Sequence, residues 1–356
     1  MSDRRVKEAS TPILGVLLLA ALGGGLLLSL LNPATARLSG HGELRSGQWM
    51  EAYQRRYEEE LPLRDTAVGI WTALRYVLLR EGEPGVIIGS DNWLFSDEEF
   101  ARHPDEAHRI TRNLVLIQQT QQRLQQRGID LVVALVPAKA RIYPQHLGRY
   151  RFPGYADARY YDARAVLTAM GVAVPDLASA LRQAGSAGDV FLRTDTHWTP
   201  HGAHAAAVAI AASARPMLEL RAAPRTDFVL RREQPVMHRG DLLNFLPLGP
   251  FDDRLGPPEE SVAQYRARHA GDDAVGLFDE VAIPVTLVGT SYSAGTVWNF
   301  EAFLKAELQA DVLNLAQEGR GPFAPMRDYL DGRTIDDVPA KLVIWEIPER
   351  YLPLAN

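Results

Sequence analysis

The stretch that decides the fold reads Val285-Thr286-Leu287-Val288-Gly289-Thr290-Ser291-Tyr292-Ser293. Four residues of high β-propensity are followed at once by a glycine and several hydroxyl side chains, which is typical of a buried strand that ends in a tight turn. A second apolar run, Leu342 to Ile347, has the same character. Runs of this kind predict parallel strands that are covered on both faces.

Helical and strand-like segments alternate through the middle of the chain. The pattern predicts a long helix from about Pro104 to Arg127, followed by a strand from Asp130 to Val136. Two further helices are predicted, Tyr160 to Met170 and Leu177 to Gln183. This alternation predicts an α/β fold, a three-layer α/β/α sandwich with a mainly parallel sheet.

A second stretch carries chemistry: Thr194-Asp195-Thr196-His197-Trp198-Thr199-Pro200. In an extended segment, residues two apart point to the same side, so the carboxylate of Asp195 can reach Nδ1 of His197 and leave Nε2 free. Thr199 is expected to cap a following helix, with Pro200 at its first position.

Ser291 completes a candidate catalytic set with Asp195 and His197. A serine hydroxyl is a weak nucleophile unless a neighbouring base removes its proton, and a carboxylate fixes the tautomer of that base. Ser291 lies where the predicted strand gives way to a turn, a usual place for an exposed nucleophile. Its backbone N–H is expected to be one oxyanion donor.

A metal site is the competing interpretation of the histidine-rich segment, because Asp195, His197, His201 and His204 are all potential ligands. Pro200 interrupts helical continuity, so His197 and His201 do not form the i, i+4 pair on one helix that zinc proteases use. We therefore expect no metal. The chain also has no cysteine, and neither a Gly-rich phosphate loop nor a Rossmann fingerprint, so no cofactor is expected.

The N-terminus predicts a membrane anchor. Arg4, Arg5 and Lys7 precede an apolar run of 19 residues, Ile13 to Leu31. At about 1.5 Å per residue a helix of that length approaches the thickness of the hydrocarbon core. Because the basic flank precedes the run, the remaining chain should be exported, which predicts an inner-membrane anchor with the bulk of the protein in the periplasm.

Cleavage of this segment stays open as an alternative, because Ala34-Thr35-Ala36 resembles a signal-peptidase site. The predicted organisation is an N-terminal signal-anchor or signal peptide over residues 1–36 and one exported domain over residues 37–356. The composition, with 46% hydrophobic and 23% charged residues, is that of a globular protein.

Three other segments carry expectations that the structure can test. Trp71, Leu74, Val77 and Leu78 recur at helical spacing and are expected to pack in the core. Residues 215–239 are locally basic and are interpreted as a solvated insertion, with a polymer-binding groove as the alternative. The stretch Phe251 to Asp273 is acidic and rich in Pro, Gly and Ala, and is interpreted as a variable connector.

At these motifs the chain resembles the SGNH-hydrolase-like AlgJ/AlgX family of polysaccharide O-acetyltransferases. Asp-Thr-His-Trp-Thr-Pro, followed far downstream by Gly-Thr-Ser-Tyr-Ser, matches the family pattern, and the likeness covers about residues 45–355. The chain length and the N-terminal anchor are more similar to the AlgJ members, since no carbohydrate-binding module follows. The other segments that carry the resemblance are Gly85 to Phe95, Val136 to Lys139, Ile142 to Pro144, Gly240 to Leu242 and Val343 to Leu352.

The resemblance implies a function and its partners. It places the family triad on Asp195, His197 and Ser291, and implies transfer of acetyl groups to hydroxyls of alginate or a similar exopolysaccharide through an acetyl-serine intermediate. It also implies a membrane-bound O-acyltransferase as acetyl donor, other polysaccharide secretion proteins as partners, and no nucleic acid. An acetyl-esterase and a non-catalytic polymer-binding scaffold stay open as alternatives. The side chains expected to line the cleft are Lys139, Arg193, Trp198 and Asp241.

Overall fold

The computed structural model describes residues 19, 22–31, 46–60, 64–270 and 282–355. These residues form two compact units. The first unit contains the described residues before Arg80 together with Pro247–Gly256, and the second contains Arg80–Leu246 and the described residues from Pro257 onwards. All the residues predicted to form the active site belong to the second unit.

Part of the predicted anchor, Ile13 to Leu31, lies outside the described residues. Residues 19 and 22–31 are helical. Within the described ranges, no helix is both long enough and apolar enough to cross a membrane. The anchor therefore stays a prediction.

The first unit contains helices α1 (Gln48–Glu60) and α2 (Arg64–Leu74), the latter continued by a π-helical turn, Arg75–Leu79. Within this unit α2 packs closely on the 247–256 segment, since a Cβ on Gly69 would lie 2.9 Å from the Leu248 carbonyl oxygen. The prediction of core packing for this helix was wrong at four positions, because this small unit leaves one face of α2 uncovered. The exposed side chains are Trp71, Leu74, Val77 and Leu78.

A four-stranded parallel sheet lies at the centre of the second unit, formed in spatial order by residues 130–136, 342–348, 285–288 and 312–314. Its strands are β3 (Asp130–Val136), β6 (Val285–Val288), β7 (Val312–Asn314) and β8 (Leu342–Pro348). Val285 pairs with Leu342 on one side and with Val312 on the other, which makes β6 an inner strand. The predicted strands at 130–136, 285–288 and 342–347 are thus confirmed.

Both faces of this sheet are covered. Every residue of β6 and β8 is buried, and so is every residue of β3 after Asp130. Because neighbouring side chains of a strand point to opposite faces, uninterrupted burial requires a layer on each side. The predicted α/β fold with a parallel sheet is confirmed.

Helices supply these layers. The helices of the second unit with at least eight residues are α3 (Glu106–Gln125), α4 (Arg159–Ala169), α5 (Leu177–Ala184), α6 (Pro200–Leu220), α7 (Phe300–Leu308) and α8 (Phe323–Asp331). Helix α6 packs on α5, α7 and the sheet, and α3 packs on α4 and β3. The start of α6 is as predicted, with the Thr199 hydroxyl accepting the Gly202 N–H at 3.1 Å and Pro200 in the first turn.

Two antiparallel pairs complete the second unit. A hairpin joins β1 (Val86–Ile88) to β2 (Leu94–Ser96). A longer two-stranded ribbon joins β4 (Phe228–His238) to β5 (Glu260–His269). The interpretation of Phe251 to Asp273 as a connector was therefore wrong for residues 260–269, because their backbone groups pair with β4. Residues 271–281 lie outside the described residues.

Candidate active site

Ser291 lies where the sequence predicts it, directly after the inner strand β6. It is the first residue of the helical turn Ser291–Ala294, which Thr290 caps. Gly289 is needed for the close approach of the turn to β8, because a Cβ there would lie 2.5 Å from Oε2 of Glu346. Among the described residues the backbone N–H of Ser291 has no hydrogen-bond partner, so it is available to an oxyanion.

Glu346, on the neighbouring strand β8, fixes this turn through hydrogen bonds. Its fully buried carboxylate accepts hydrogen bonds from the Thr290 N–H at 2.7 Å, the Thr290 hydroxyl at 3.0 Å and the Ser293 hydroxyl at 3.1 Å. Burial raises the pKa of Glu346 to about 7, against the opposing effect of these donors. The residues on both sides of Ser291 are thereby fixed to one carboxylate of the neighbouring strand.

Asp195 and His197 form a buried hydrogen-bonded pair. Nδ1 of His197 lies 2.6 Å from Oδ1 of Asp195, which also accepts the His197 backbone N–H at 2.9 Å. The 193–197 segment is a series of bends, so the expectation of an extended segment was wrong. The two-residue spacing still allows the contact, because the bent backbone brings the His197 ring back to the Asp195 carboxylate.

The imidazole of His197 also reaches the serine. Its Nε2 lies 2.7 Å from Oγ of Ser291. With the Nδ1 proton donated to Asp195, Nε2 is left to accept the hydroxyl proton of Ser291. The ring stacks on Trp298 with centroids 4.1 Å apart and an interplanar angle of 11°, so its orientation is set by packing as well as by hydrogen bonds. The structure thus brings together all three residues predicted from the sequence.

His238 is a further member of this cluster that the sequence did not single out. This last residue of β4 places Nε2 2.7 Å from Oδ2 of Asp195, and the same oxygen accepts the Asp241 backbone N–H at 3.0 Å. Burial alone would raise the pKa of Asp195, but hydrogen bonds from His197 and His238 outweigh it and hold the pKa well below the usual range. The hydrogen bond to Asp195 raises the pKa of His238, and Asp241 and Glu260 add to this effect.

The raised pKa of His238 predicts a pH-dependent loss of stability in the His238→Gln variant, which keeps an N–H donor but has no charge. Protonated His238 stabilises the fold fully below its ordinary pKa of 6.5, and this contribution is lost as pH rises through the raised value. We expect the free energy of unfolding to fall by about 1 kcal/mol more at about pH 5.5 than at about pH 8.5, the difference between a charge-assisted and a neutral hydrogen bond.

Urea denaturation at the two pH values measures this difference. His108→Gln is the matched control, because that histidine is exposed on α3. Equal destabilisation of the His238→Gln variant at both pH values would show that His238 bears no charge when bound to Asp195.

The four side chains expected to line the cleft have different environments. Lys139 is completely buried, and its Nζ donates to the carbonyl oxygens of Leu94 at 2.6 Å, Arg193 at 2.9 Å and Asp195 at 2.9 Å. Burial lowers the pKa of Lys139 to about 8, so it is still a cation at neutral pH. Lys139 therefore positions the loop that carries Asp195 instead of facing a substrate.

The other three cleft candidates differ in how far they are buried. Trp198 is fully buried, in an edge-on contact with Tyr292. Arg193 forms an exposed ion pair with Asp189. Asp241 is half-buried and accepts hydrogen bonds from the Thr196 backbone N–H and hydroxyl, so its carboxylate fixes the loop between the two triad residues.

One group of three potential metal ligands occurs within the described ranges, namely Asp195, His197 and Asp241, with ligand atoms within 4.8 Å of one another. Each of their carboxylate oxygens already accepts a hydrogen bond from a protein donor. His201 and His204 do not join this group, because their Nε2 atoms contact the Ala184 carbonyl and Glu307 respectively. The triad hydrogen bonds, with those of Asp241 to Thr196 and of His238 to Asp195, therefore account for the polar atoms of this group.

Known proteins with similar sequences are acetyltransferases and alginate biosynthesis proteins. A family model described as "SGNH hydrolase-like domain, acetyltransferase AlgX" matches residues 86–349. The probable alginate O-acetylase AlgJ of Pseudomonas aeruginosa is 42% identical over 349 residues, which cover 94% of this chain and 88% of that protein. The alginate biosynthesis protein AlgX of Pseudomonas putida is 30% identical over 269 residues, 73% of this chain and 55% of that protein.

A solved structure agrees with these sequence matches. The O-acetyltransferase domain of Pseudomonas putida AlgJ superimposes with a TM-score of 0.69 and 40% sequence identity, covering 77% of this chain and 94% of that domain. The predicted resemblance is confirmed, and the AlgJ proteins are more similar than AlgX. The chain therefore belongs to the AlgJ/AlgX family of SGNH-hydrolase-like acetyltransferases.

Proposed function

We propose that this protein transfers acetyl groups to hydroxyls of an exported polysaccharide through an acetyl ester on Ser291, with alginate as the acceptor. The observation that carries the proposal is the unbroken line of hydrogen bonds from Asp195 through His197 to Ser291. The AlgJ relatives carry the name "probable alginate O-acetylase", which supports the choice of acceptor.

The proposed reaction has two half-reactions. Oγ of Ser291 attacks the carbonyl carbon of the acetyl donor while Nε2 of His197 takes the hydroxyl proton and passes it to the leaving group. A sugar hydroxyl then attacks the acetyl carbon, His197 removes its proton, and the bond from that carbon to Oγ breaks as the proton returns to Ser291. Asp195 stabilises the imidazolium that forms in each step, and the Ser291 N–H donates to the oxyanion.

The same residues would serve an esterase, because only the second acceptor differs. The test incubates the purified exported domain with an acetyl-ester donor and an alginate oligosaccharide, and separates free acetate from acetylated sugar. We expect acetylated sugar as the main product. Acetate alone would support the esterase, and neither product would support the non-catalytic scaffold.

We also propose that the protein is anchored in the inner membrane and faces the periplasm. The support is the uncharged Ile13 to Leu31 run behind Arg4, Arg5 and Lys7. Cell fractionation and N-terminal sequencing test this placement. Recovery in the cytosol would rule it out, and a mature chain starting at Arg37 would show a cleaved signal peptide instead of an anchor.

This placement requires a protein that delivers acetyl groups, because Ser291 would lie on the periplasmic side of the membrane and acetyl-CoA is in the cytoplasm. We predict that a membrane-bound O-acyltransferase supplies acetyl to Ser291, within an assembly of polysaccharide secretion proteins. Deleting that acyltransferase while supplying this protein in excess should abolish polymer acetylation, measured as ester content of the secreted polysaccharide. Full acetylation without the acyltransferase would overturn the proposed transfer of acetyl from it to Ser291, and would indicate another periplasmic donor.

A further inference from the structure

The indole of Trp298 covers one face of the His197 imidazole. The two ring centroids are 4.1 Å apart, and the ring planes are 11° from parallel. Trp298 is 5% exposed and His197 is 7% exposed, so water reaches little of either ring. The stack therefore lies in surroundings of low polarity, where the attraction between an aromatic face and a charge is stronger than at an exposed site.

The segment that carries Trp298 is held on both sides of the indole. The Val297 carbonyl accepts a hydrogen bond from Nε2 of Gln264 at 2.9 Å. Oδ1 of Asn299 accepts the Tyr265 backbone N–H at 3.0 Å. Gln264 and Tyr265 are neighbours on β5, so one strand fixes the chain before and after the indole. The stacked position of the ring is therefore set by the fold.

Hydrogen bonding does not explain why this side chain is a tryptophan. Its Nε1–H is buried and has no hydrogen-bond partner in the described part of the chain. An unsatisfied buried donor costs free energy that phenylalanine or leucine at the same position would not incur. The indole therefore contributes through the face of its ring, and the imidazole of His197 is stacked on that face.

His197 becomes a cation in each half-reaction of the proposed transfer. The proton of the Ser291 hydroxyl moves to Nε2 as Oγ attacks, and the imidazole, already protonated at Nδ1, gains a positive charge. Asp195 stabilises that charge in the plane of the ring, at Nδ1. A cation within about 6 Å of an aromatic centroid is also attracted to the π face, and tryptophan gives the strongest attraction.

Other ionisable groups surround His197. Asp241 lies 3.8 Å from its Nδ1, and His238 shares the Asp195 carboxylate. Burial raises the pKa of Tyr292, whose ring centroid is 4.7 Å from that of His197, so this phenol stays neutral. The ionisable groups that act on these residues in turn are Glu99, Lys139, Glu260, Glu346 and Arg350. A change at the indole leaves all of them in place.

We infer that Trp298 is a positioning residue of the triad and stabilises the imidazolium form of His197 through the π face of its indole. This inference rests on the proposed function, in which His197 is the base. The transition state and the protonated resting enzyme both contain the imidazolium, whereas the resting enzyme at high pH does not. Weakening the π face should therefore slow the reaction at high pH and leave the rate at low pH nearly unchanged.

The test places tetrafluorotryptophan at position 298 of the full chain by nonsense suppression, because fluorine withdraws electrons from the ring and nearly keeps its shape. Hydrolysis of a small acetyl ester is followed from about pH 5 to about pH 9. We expect kcat/KM on the high-pH plateau to fall about threefold to tenfold. The midpoint of the acid limb should move down by about half a unit to one unit, so that the two rates converge at low pH.

Two comparisons accompany this variant. The matched control has the same fluorinated residue at Trp345, which is buried and contacts Phe323 instead of a histidine, and its pH profile should match that of the wild type. The Trp298→Phe variant keeps a smaller π face and should give an intermediate shift of the acid limb. The shift should also persist when His238→Gln is present in both proteins, since His238 is then absent as a titrating group.

An equal loss of rate at every pH, or no loss at all, would overturn the inference and leave the proposed function standing. The indole would then act through packing alone or have no effect. A shift that disappears in the His238→Gln background would also overturn it, because His238 would be the group that titrates. Wild-type protein without Ser291-dependent hydrolysis would instead refute the proposed function and the inference together.

Discussion

The Ser291→Ala variant is expected to lose acyl transfer by a factor on the order of 10⁴ to 10⁶, the range seen when a serine nucleophile is removed from a triad. The substitution deletes one oxygen, whose hydrogen-bond partner is Nε2 of His197. The turn around it is held by Glu346 through Thr290 and Ser293, so the free energy of unfolding should change by less than about 1 kcal/mol.

Initial rates with a small acetyl ester and with a polymer acceptor measure this loss. Ser186→Ala is the matched control, because that serine is exposed at the end of α5. His197→Ala should be similarly inactive, and the double variant no worse than either single one, since the triad acts as a unit. Wild-type activity in the Ser291→Ala variant would show that another group is the nucleophile.

The elements with strong local signals were predictable from the sequence. The β6 run is apolar and ends at Gly289, so both the strand and the turn followed from composition alone. The helix cap at Thr199 followed from its neighbour Pro200. The pairing of Asp195 with His197 was also foreseen, although the segment is bent and not extended, because two residues of spacing suit either backbone.

Glu346 carried a signal that could have been used. It is the only acidic residue in the otherwise apolar run Leu342 to Ile347, which was predicted to be buried on both faces. A carboxylate at such a position must find donors, because an unpaired buried charge is very costly. Those donors could be sought at the end of a neighbouring strand, and here they are Thr290 and Ser293.

His238 and Lys139 could not be placed in this way. His238 reaches Asp195 from the end of β4, whose partner β5 follows after the intervening residues 239–259, and the composition around β5 favours a connector instead of a strand. Lys139 is charged, and charged side chains are ordinarily exposed. Its place in Val136 to Lys139, one of the segments that carry the family resemblance, therefore suggested a side chain in the cleft. Its burial depends on three carbonyl groups from two distant segments, which no local pattern reveals.

The Lys139→Met variant is expected to be destabilised by about 3 to 5 kcal/mol. Methionine fills a similar volume, but it leaves the carbonyl oxygens of Leu94 and Asp195 without a donor, whereas the Arg193 carbonyl still accepts the Leu94 N–H at 2.8 Å. An unsatisfied buried acceptor costs about 1 to 3 kcal/mol, and relief of the buried charge offsets part of the sum. Glu99 adds to the loss, because its fully buried carboxylate is stabilised in part by the charge of Lys139.

Urea denaturation near pH 7 measures the stability, with Lys341→Met as the matched control because Lys341 is exposed. Below the temperature at which the variant unfolds, kcat with a small acetyl ester should also fall, by about tenfold, because the Asp195 backbone loses its anchor and the carboxylate no longer fixes His197 in place. KM should change little, since Lys139 lies away from the surface. A Lys139→Met protein with wild-type stability would show that the loop carrying Asp195 is held by its other contacts, chiefly those of Asp241 with Thr196.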